Sequence, residues 1–430
     1  MRGDAWTEID DETLITVLRA EIRRATGCTE VAAAALVAAH AVHTLGRPAE
    51  HLQLSVSPNV YKNGVHVAVP GTPFRGLAHA AAIGAALGDP AAGLEILDAA
   101  DAAIVEAARL AVAAGAVRVG FAAEAEPLLL RAAAQAGNDV AVAVIAGAHD
   151  RLVEIRRNDE LIYKALPAQD HDDTGLPDLR TVPMARMLAA VDRIPVADLE
   201  FLMDAARLNA DAARAGRTAE GPLGRALDAR AAAAPSPRAA AQSWTGAASE
   251  ARMGGLPVAV AAITGSGNHG IANFLGVWGY ARAIGAPRDR TVRALAIASL
   301  VTVAIKAHTG KLTAFCGCAI APATGLAAAA AYLMGGDAAA QTAAMQTVIG
   351  TFAGMLCDGA KASCAFKVAA VVGAAIDIAE LAVSGAHVAA GDGIVGATVD
   401  ESFANLGRLN DPGMRGTERA VLEIIAAGAA

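Results

Sequence analysis

The apolar period changes part-way along the chain. Polar Asp10, Asp11, Glu12 and Thr13 precede apolar Leu14, Val17 and Leu18, and an Ala-rich run follows Thr29 and Glu30. That spacing predicts helix over residues 10–46, with a stop and restart at 26–30 where Thr26 or Thr29 can cap the second helix. From 51 to 69 the period becomes two: Leu52, Leu54, Val56, then Val65, Val67, Val69, with Asn63-Gly64 between them. This is the pattern of a β-hairpin. Residues 76–87 read as helix, and 116–121, 140–147, 152–157 and 161–166 as further strands. Residues 167–183, rich in Asp, Pro and Gly, read as a linker. From 184 onward Ala-rich apolar stretches alternate with Gly breaks, with a loop at 234–237. The expected fold class is α+β: N-terminal helices over 1–47, a small α+β domain with a mixed or antiparallel sheet over 48–166, and a mainly helical domain over 184–430.

Composition narrows the function classes. The 430 residues are 55% hydrophobic and 3% aromatic, enough for a large core, so disorder is excluded as the main state. A net charge of -8 without a long basic run argues against nucleic acid or an anionic membrane as partner. Small polar ligands fit. Residues 1–24 carry Asp4, Glu8, Asp10, Asp11 and Glu12 and no apolar h-region, so a cytoplasmic location is expected. Five cysteines, an odd number, suit a reducing compartment with free or metal-bound thiols. Residues 312–336 and 338–357 carry no charge and approach the length of a bilayer helix. Gly, Pro322, Gln and Thr interrupt them and aromatic belts are missing, so they read as buried helices rather than the spans of a membrane transporter. The apolar helical surface is compatible with a homodimer.

Four cysteines, Cys316, Cys318, Cys357 and Cys364, fall within 49 residues, and Cys28 stands apart. Lone cysteines are ordinarily small buried hydrophobes. Here the Cys316-Gly317-Cys318 pair, the Cys357-Asp358-Gly359 turn, and Lys361 and Lys367 around Cys364 point instead to thiolates of the kind metals bind. Neither C-x-C nor C-x(6)-C matches a zinc knuckle, whereas iron–sulfur clusters accept more varied spacing. Only six residues are Lys, at 62, 164, 306, 311, 361 and 367, in a chain whose other cations are Arg. Such survivors are candidates for positions that need a compact ammonium.

Gly265-Ser266-Gly267-Asn268-His269-Gly270 matches G-x-G-x-x-G between an apolar run and a helical one, the context of a dinucleotide fingerprint. The segment after Arg290 reads as helix rather than a second strand, which weakens that match. The same loop, with Ser266, Gly267 and Asn268, could cradle a carboxylate. Asn59, Tyr61, Lys62 and Asn63 put amide, phenol and ammonium groups on one turn. Of ten histidines, only His269 and His308 sit in polar, Gly-marked segments.

In chain order, the segments Thr26-Gly-Cys-Thr-Glu30, residues 57–71 (SPNVYKNGVHVAVPG), Met253-Gly-Gly255, residues 265–270 (GSGNHG), 306–318 (KAHTGKLTAFCGC) and 357–367 (CDGAKASCAFK) resemble the iron–sulfur L-cysteine desulfidase family. They are more distantly similar to the α-chain of iron–sulfur L-serine dehydratases. The resemblance implies a 4Fe–4S cluster held by three cysteines with one iron open to substrate, and no pyridoxal phosphate. It implies Cys28, Cys357 and either Cys316 or Cys318 as ligands, with Cys364 an alternative. It further implies α,β-elimination on a small amino acid such as L-cysteine or L-serine, giving a 2-oxo acid and ammonia. In that reading Ser266, Gly267 and Asn268 meet the substrate carboxylate, and Asn59, Tyr61, Lys62 and Asn63 form a polar wall. Lys306, Lys361 and His269 then join Lys62 as catalytic candidates. Val31, His269 and Lys311 to Thr313 stand where the family usually has Pro, Gln and Arg-Leu-Ser. These departures leave room for a specialised β-substituted amino acid. A nicotinamide-dependent oxidoreductase built on Gly265 to Gly270 is the competing reading.

Overall fold

The computed structural model describes residues 9–122, 128–165, 177–218 and 221–429. It is an α+β fold in which two apolar cores lie side by side.

The first helix, Asp11–Glu21, is capped by Asp10, whose carboxylate accepts from Thr13 N–H at 2.7 Å. It buries Leu14, Val17 and Leu18 in the core of the C-terminal helices. The helix then ends earlier than the spacing predicts. Ile22–Thr26 is a strand, paired antiparallel with Ala259–Ile263 from Ile22 opposite Ile263 to Thr26 opposite Ala259. Neither strand is evident from local propensity, because the stabilising partner lies more than two hundred residues away.

Helix Thr29–Leu45 begins directly after Cys28 and is buried along most of its length. Its Ala-rich surface lets it pack closely on helix Leu77–Leu87 and on the strands Leu129–Ala136 and Asp139–Ala146. The main sheet has six strands in the order Val117–Phe121, His51–Val56, Leu129–Ala136, Asp139–Ala146, Leu152–Arg157, Glu160–Lys164. His51–Val56 runs parallel to Val117–Phe121, and the other neighbours are antiparallel, so the sheet is mixed. Leu129–Ala136 carries too few branched residues to be read as a strand from sequence. It is held by neighbours on both sides.

The hairpin expected over 51–69 does not form. His51–Val56 is a strand, but Pro58 then opens a short helix, Pro58–Gly64, at a first-turn position where its missing N–H costs nothing. Asn63 and Gly64 belong to that helix, not to a turn. Val67 and Val69 are buried in an irregular return in which Val69 N–H donates to Phe74 O and Gly76 N–H to Val67 O.

Most of the expected linker lies outside the described residues; its end, Leu179–Thr181, is a short 3-10 turn whose Leu179 joins the helical core. The helical part follows, with Pro237–Met253, Arg288–Thr309, Gly317–Leu333, Ala338–Phe352 and Cys364–Val383 packed together. Arg288–Thr309 is long and apolar enough to cross a membrane, and 83% of its apolar window is buried inside the fold. The uncharged stretches 312–336 and 338–357 form the shorter helices of 17 and 15 residues. Both are packed against neighbouring helices.

Candidate active site

The candidate site lies where the two cores meet. Cys28 belongs to the core with the sheet and Cys364 packs against it, whereas Cys316 belongs to the helical core and Cys318 packs against that. Cys316 precedes helix Gly317–Leu333, Cys364 opens helix Cys364–Val383, and Cys357 sits in the turn between. Cys316 N–H donates to Met355 O at 2.6 Å and Cys357 N–H to Ala314 O at 2.9 Å, which clamps the two cysteine segments side by side. Cys316, Cys318, Cys357 and Cys364 lie close enough that each acts electrostatically on others of the set. Among the described residues, no three His, Cys, Asp or Glu converge as ligands of a single metal ion would.

The thiols differ in state. Cys318 donates a hydrogen bond that draws Cys316 down to about 7, helped by Lys367 and by N–H groups of the helix that Cys316 precedes. The same bond, with burial, pushes Cys318 well up. Burial likewise raises Cys357, against the pull of Lys62, and takes Cys364 to about 11. Neighbouring cations therefore do not outweigh burial at most of these thiols.

Cys28 reaches this group through polar contacts. Its thiol donates to Glu30 Oε2 at 2.7 Å, Asn63 Nδ2 donates to Glu30 Oε1 at 3.0 Å, and Cys357 Sγ lies 3.9 Å from Asn63 Oδ1. Burial works against the Glu30 charge, but His149, the Cys28 thiol and Asn63 overcome it and hold the carboxyl below its ordinary range. Glu30 and His149 were not singled out in the sequence, although Glu30 stands in the quoted TGCTE segment.

The short helix Pro58–Gly64 splits its side chains. Lys62, 1% exposed, donates to Thr313 O at 3.2 Å and to Glu418 Oε1 at 2.7 Å, and Asn63 turns to Glu30. Tyr61 instead packs on Phe121, ring centroids 5.0 Å apart, and Asn59 Oδ1 is buried without a partner among the described residues. Lys361 is half-buried and tied to Asp358, which also binds Lys367, both at 2.6 Å. Burial would raise Asp358, yet these two ammonium groups hold it at about 2.

Lys306 is the exception among the lysines. It is 5% exposed at the end of helix Arg288–Thr309, and its Nζ has no hydrogen-bond partner among the described residues. Burial lowers it to about 8, although Cys318, Cys357 and Cys316 act to raise it.

The 265–270 loop faces the same region. Ser266 Oγ accepts from His269 N–H, and Asn268 Oδ1 takes bonds from Ser249 and Arg252. His269 Nδ1 is 2.9 Å from Thr264 Oγ1, whose own hydrogen goes to Ile263 O. This network assigns the ring proton to Nδ1 and leaves a lone pair on Nε2, which lies beside Gly317 between two of the cysteines. Burial, with Lys306 and Arg252, keeps the imidazole neutral. The loop is not part of a parallel βαβ unit: Ala259–Ile263 pairs antiparallel with Ile22–Thr26, its one strand partner among the described residues. A nicotinamide-binding reading loses its structural context here.

Residues 91–423 match the model of the serine dehydratase alpha chain. The chain belongs to the serine dehydratase alpha-chain family. It is 42% identical over 423 residues to a UPF0597 protein of Methanocella arvoryzae, an alignment covering 97% of this chain and 99% of that protein. UPF0597 proteins of Oleidesulfovibrio alaskensis and Desulforapulum autotrophicum are 36% and 35% identical, each over 96% of this chain and 97% of their own length. Membership in the serine dehydratase alpha-chain family supports a dehydratase-like lyase of amino-acid metabolism, and that family is generally linked to iron–sulfur chemistry.

Proposed function

We propose that the protein is an iron–sulfur-dependent lyase that eliminates the β-substituent of a small amino acid such as L-cysteine or L-serine, giving a 2-oxo acid and ammonia. The observation that carries this reading is that Cys316, Cys318 and Cys357 all act on Lys306, a buried ammonium without a hydrogen-bond partner among the described residues. A buried cation next to a set of thiols suits an anionic group held by thiolates. The donor set fits a 4Fe–4S cluster bound by Cys357, by Cys316 or Cys318, and by Cys28 or Cys364. When bound, such a cluster with an open iron supplies a Lewis acid for the leaving β-thiol or β-hydroxyl.

The chain's own residues would do the rest. Lys62 and Lys367 offset thiolate charge from either side of the Cys357 turn. Ser266, Gly267 and Asn268 face the polar end of the substrate. Lys306 Nζ takes the α-proton from its deprotonated form and so returns to the ammonium that balances the thiolates. His269, neutral and fixed by Thr264, shapes the wall beside the reacting carbons. Loss of the α-proton and the β-substituent leaves an enamine, which tautomerises and hydrolyses to the 2-oxo acid and ammonia. No pyridoxal phosphate is called for. A cytoplasmic location and a homodimer accord with this reading.

The test is anaerobic purification with a visible spectrum and iron and sulfide content, repeated on Cys28→Ala, Cys316→Ala, Cys318→Ala, Cys357→Ala and Cys364→Ala. About four irons per chain, lost in three of these variants, and ammonia released without pyridoxal phosphate are expected. A colourless protein without iron after anaerobic reconstitution would sink the reading.

A further inference from the structure

We propose that Arg252 selects the substrate by its α-carboxylate, so that the site binds small α-amino acids as free acids and rejects the corresponding amides. The proposal rests on the elimination reading for what happens to the ligand, but not for the binding of a carboxylate.

Arg252 lies in the last turn of helix Pro237–Met253 and is 4% exposed. Its Nη1 donates to Asn268 Oδ1 and to Met253 Sδ, each at 3.2 Å, and its Nε is buried with no partner among the described residues. No carboxylate among the described residues forms an ion pair with it, in contrast to Arg217, which is paired with Asp228 at 2.9 Å. A guanidinium is permanently charged, so its burial among neutral partners is unfavourable unless an anion arrives to meet it.

The surroundings place that anion. The guanidinium lies against Gly267: a Cβ at that position would come within 2.3 Å of Nε, so the second glycine of the loop is what lets the cation reach it. Ser266 and Asn268 flank this contact, and Asn268 already orients Nη1. Arg252 acts on both Cys28 and His269, and Lys306 acts on His269 as well. Two buried cations, neither with an acidic partner among the described residues, thus act on the His269 ring. They have different shapes. The planar fork of Arg252 matches a carboxylate through paired N–H donors, whereas Lys306 is a point charge beside the thiols. A carboxylate on Arg252 carries the α-carbon next to it, directed along the same loop toward the proton acceptor and the cysteines. The ligand class that satisfies both ends is an α-amino acid whose β-substituent can leave.

L-alanine, which has no leaving group, is the probe, with L-alaninamide as its uncharged counterpart. Binding of each is measured by calorimetry on the anaerobically loaded full-length protein and by thermal shift on the iron-free protein. Wild type is expected to bind L-alanine at least about tenfold more tightly than L-alaninamide. Arg252→Gln is expected to remove this preference while keeping iron content, and Arg252→Lys to restore part of it. Equal binding of acid and amide by wild type, binding of neither, or an unchanged preference in Arg252→Gln overturns the proposal. If Arg252→Gln fails to fold, the wild-type comparison still decides. Failure of the elimination reading looks different: no ammonia from any amino acid, with the preference for the free acid intact.

Discussion

Lys62 and Glu418 are 356 residues apart in the chain and meet at 2.7 Å. The ammonium is 1% exposed and the carboxylate 22%, so the pair is largely withdrawn from water. It ties the C-terminal helix, Arg415–Ala429, to the turn of chain that also presents Asn63 to Cys357. That helix has little other anchorage. Leu422 is buried, but Ile424 is 72% exposed.

Glu418→Ala is therefore expected to strand the Lys62 charge and free the helix. Breaking a buried pair by removing one partner costs about 3 kcal/mol. A lower urea midpoint, with new protease cleavage within 415–429, is the expected outcome. An unchanged midpoint and cleavage pattern would show that the helix is held by other contacts.

Lys306 imposes a stability penalty that pH should reveal. Its folded value of about 8 lies below the ordinary 10.5, so between those values the unfolded chain binds more protons than the folded one. The Lys306 contribution to the stability of the iron-free protein should then rise with pH from about 8 to about 10.5 and be flat below, where both states are protonated; the raised thiols contribute with the opposite sign, equally in wild type and in a Lys306 variant. Lys306→Met is expected to raise stability at pH 7 by roughly 2 to 3 kcal/mol, to abolish that rise, and to eliminate ammonia release. Denaturant titrations at several pH values measure this. A variant less stable than wild type at pH 7 would overturn the assignment of Lys306 as an uncompensated buried ammonium.

Gly359 joins the Cys357 turn to the Lys62 segment. Its φ is +90°, and a Cβ would come within 2.1 Å of Lys62 O. Gly359→Ala should lose more than about 1 kcal/mol from backbone strain alone and should also lower iron content by moving the turn. Gly354→Ala, where nothing lies within 4 Å of the added carbon, serves as the control and should stay within about 0.5 kcal/mol.

His269 stands where the resembled families usually carry Gln. Both side chains can accept and donate, so His269→Gln is expected to keep iron and turnover while shifting relative KM values among L-cysteine, L-serine and L-threonine. Loss of turnover by about 100-fold or more for every substrate would instead mark the imidazole as the proton acceptor.

The segments that form the candidate site were legible as short polar or Gly-marked interruptions in apolar sequence. Cys357-Asp358-Gly359, Lys306 and the 265–270 loop all stood out in this way, and the structure brings them to one region. Arg252, Glu30, His149 and Glu418 did not stand out. In a chain with many Arg and Glu, a buried charge and a solvated one look alike until burial is known. The hairpin failed for a related reason: Val65, Val67 and Val69 alternate as a strand would, but Pro58 and the competing partners Val117–Phe121 and Leu129–Ala136 decide where His51–Val56 pairs.

What the sequence by itself determined is the α+β division, the helical character of the second half and which polar or Gly-marked segments are candidates to carry chemistry, because periodicity and turn residues act within a few neighbours. Tertiary structure decided the rest. The pairing of Ile22–Thr26 with Ala259–Ile263, the ion pair of Lys62 with Glu418, and the unpartnered burial of Arg252 and Lys306 each join distant parts of the chain or depend on what packs around them. Desolvation and pairing energies are properties of such surroundings, and no local pattern encodes them.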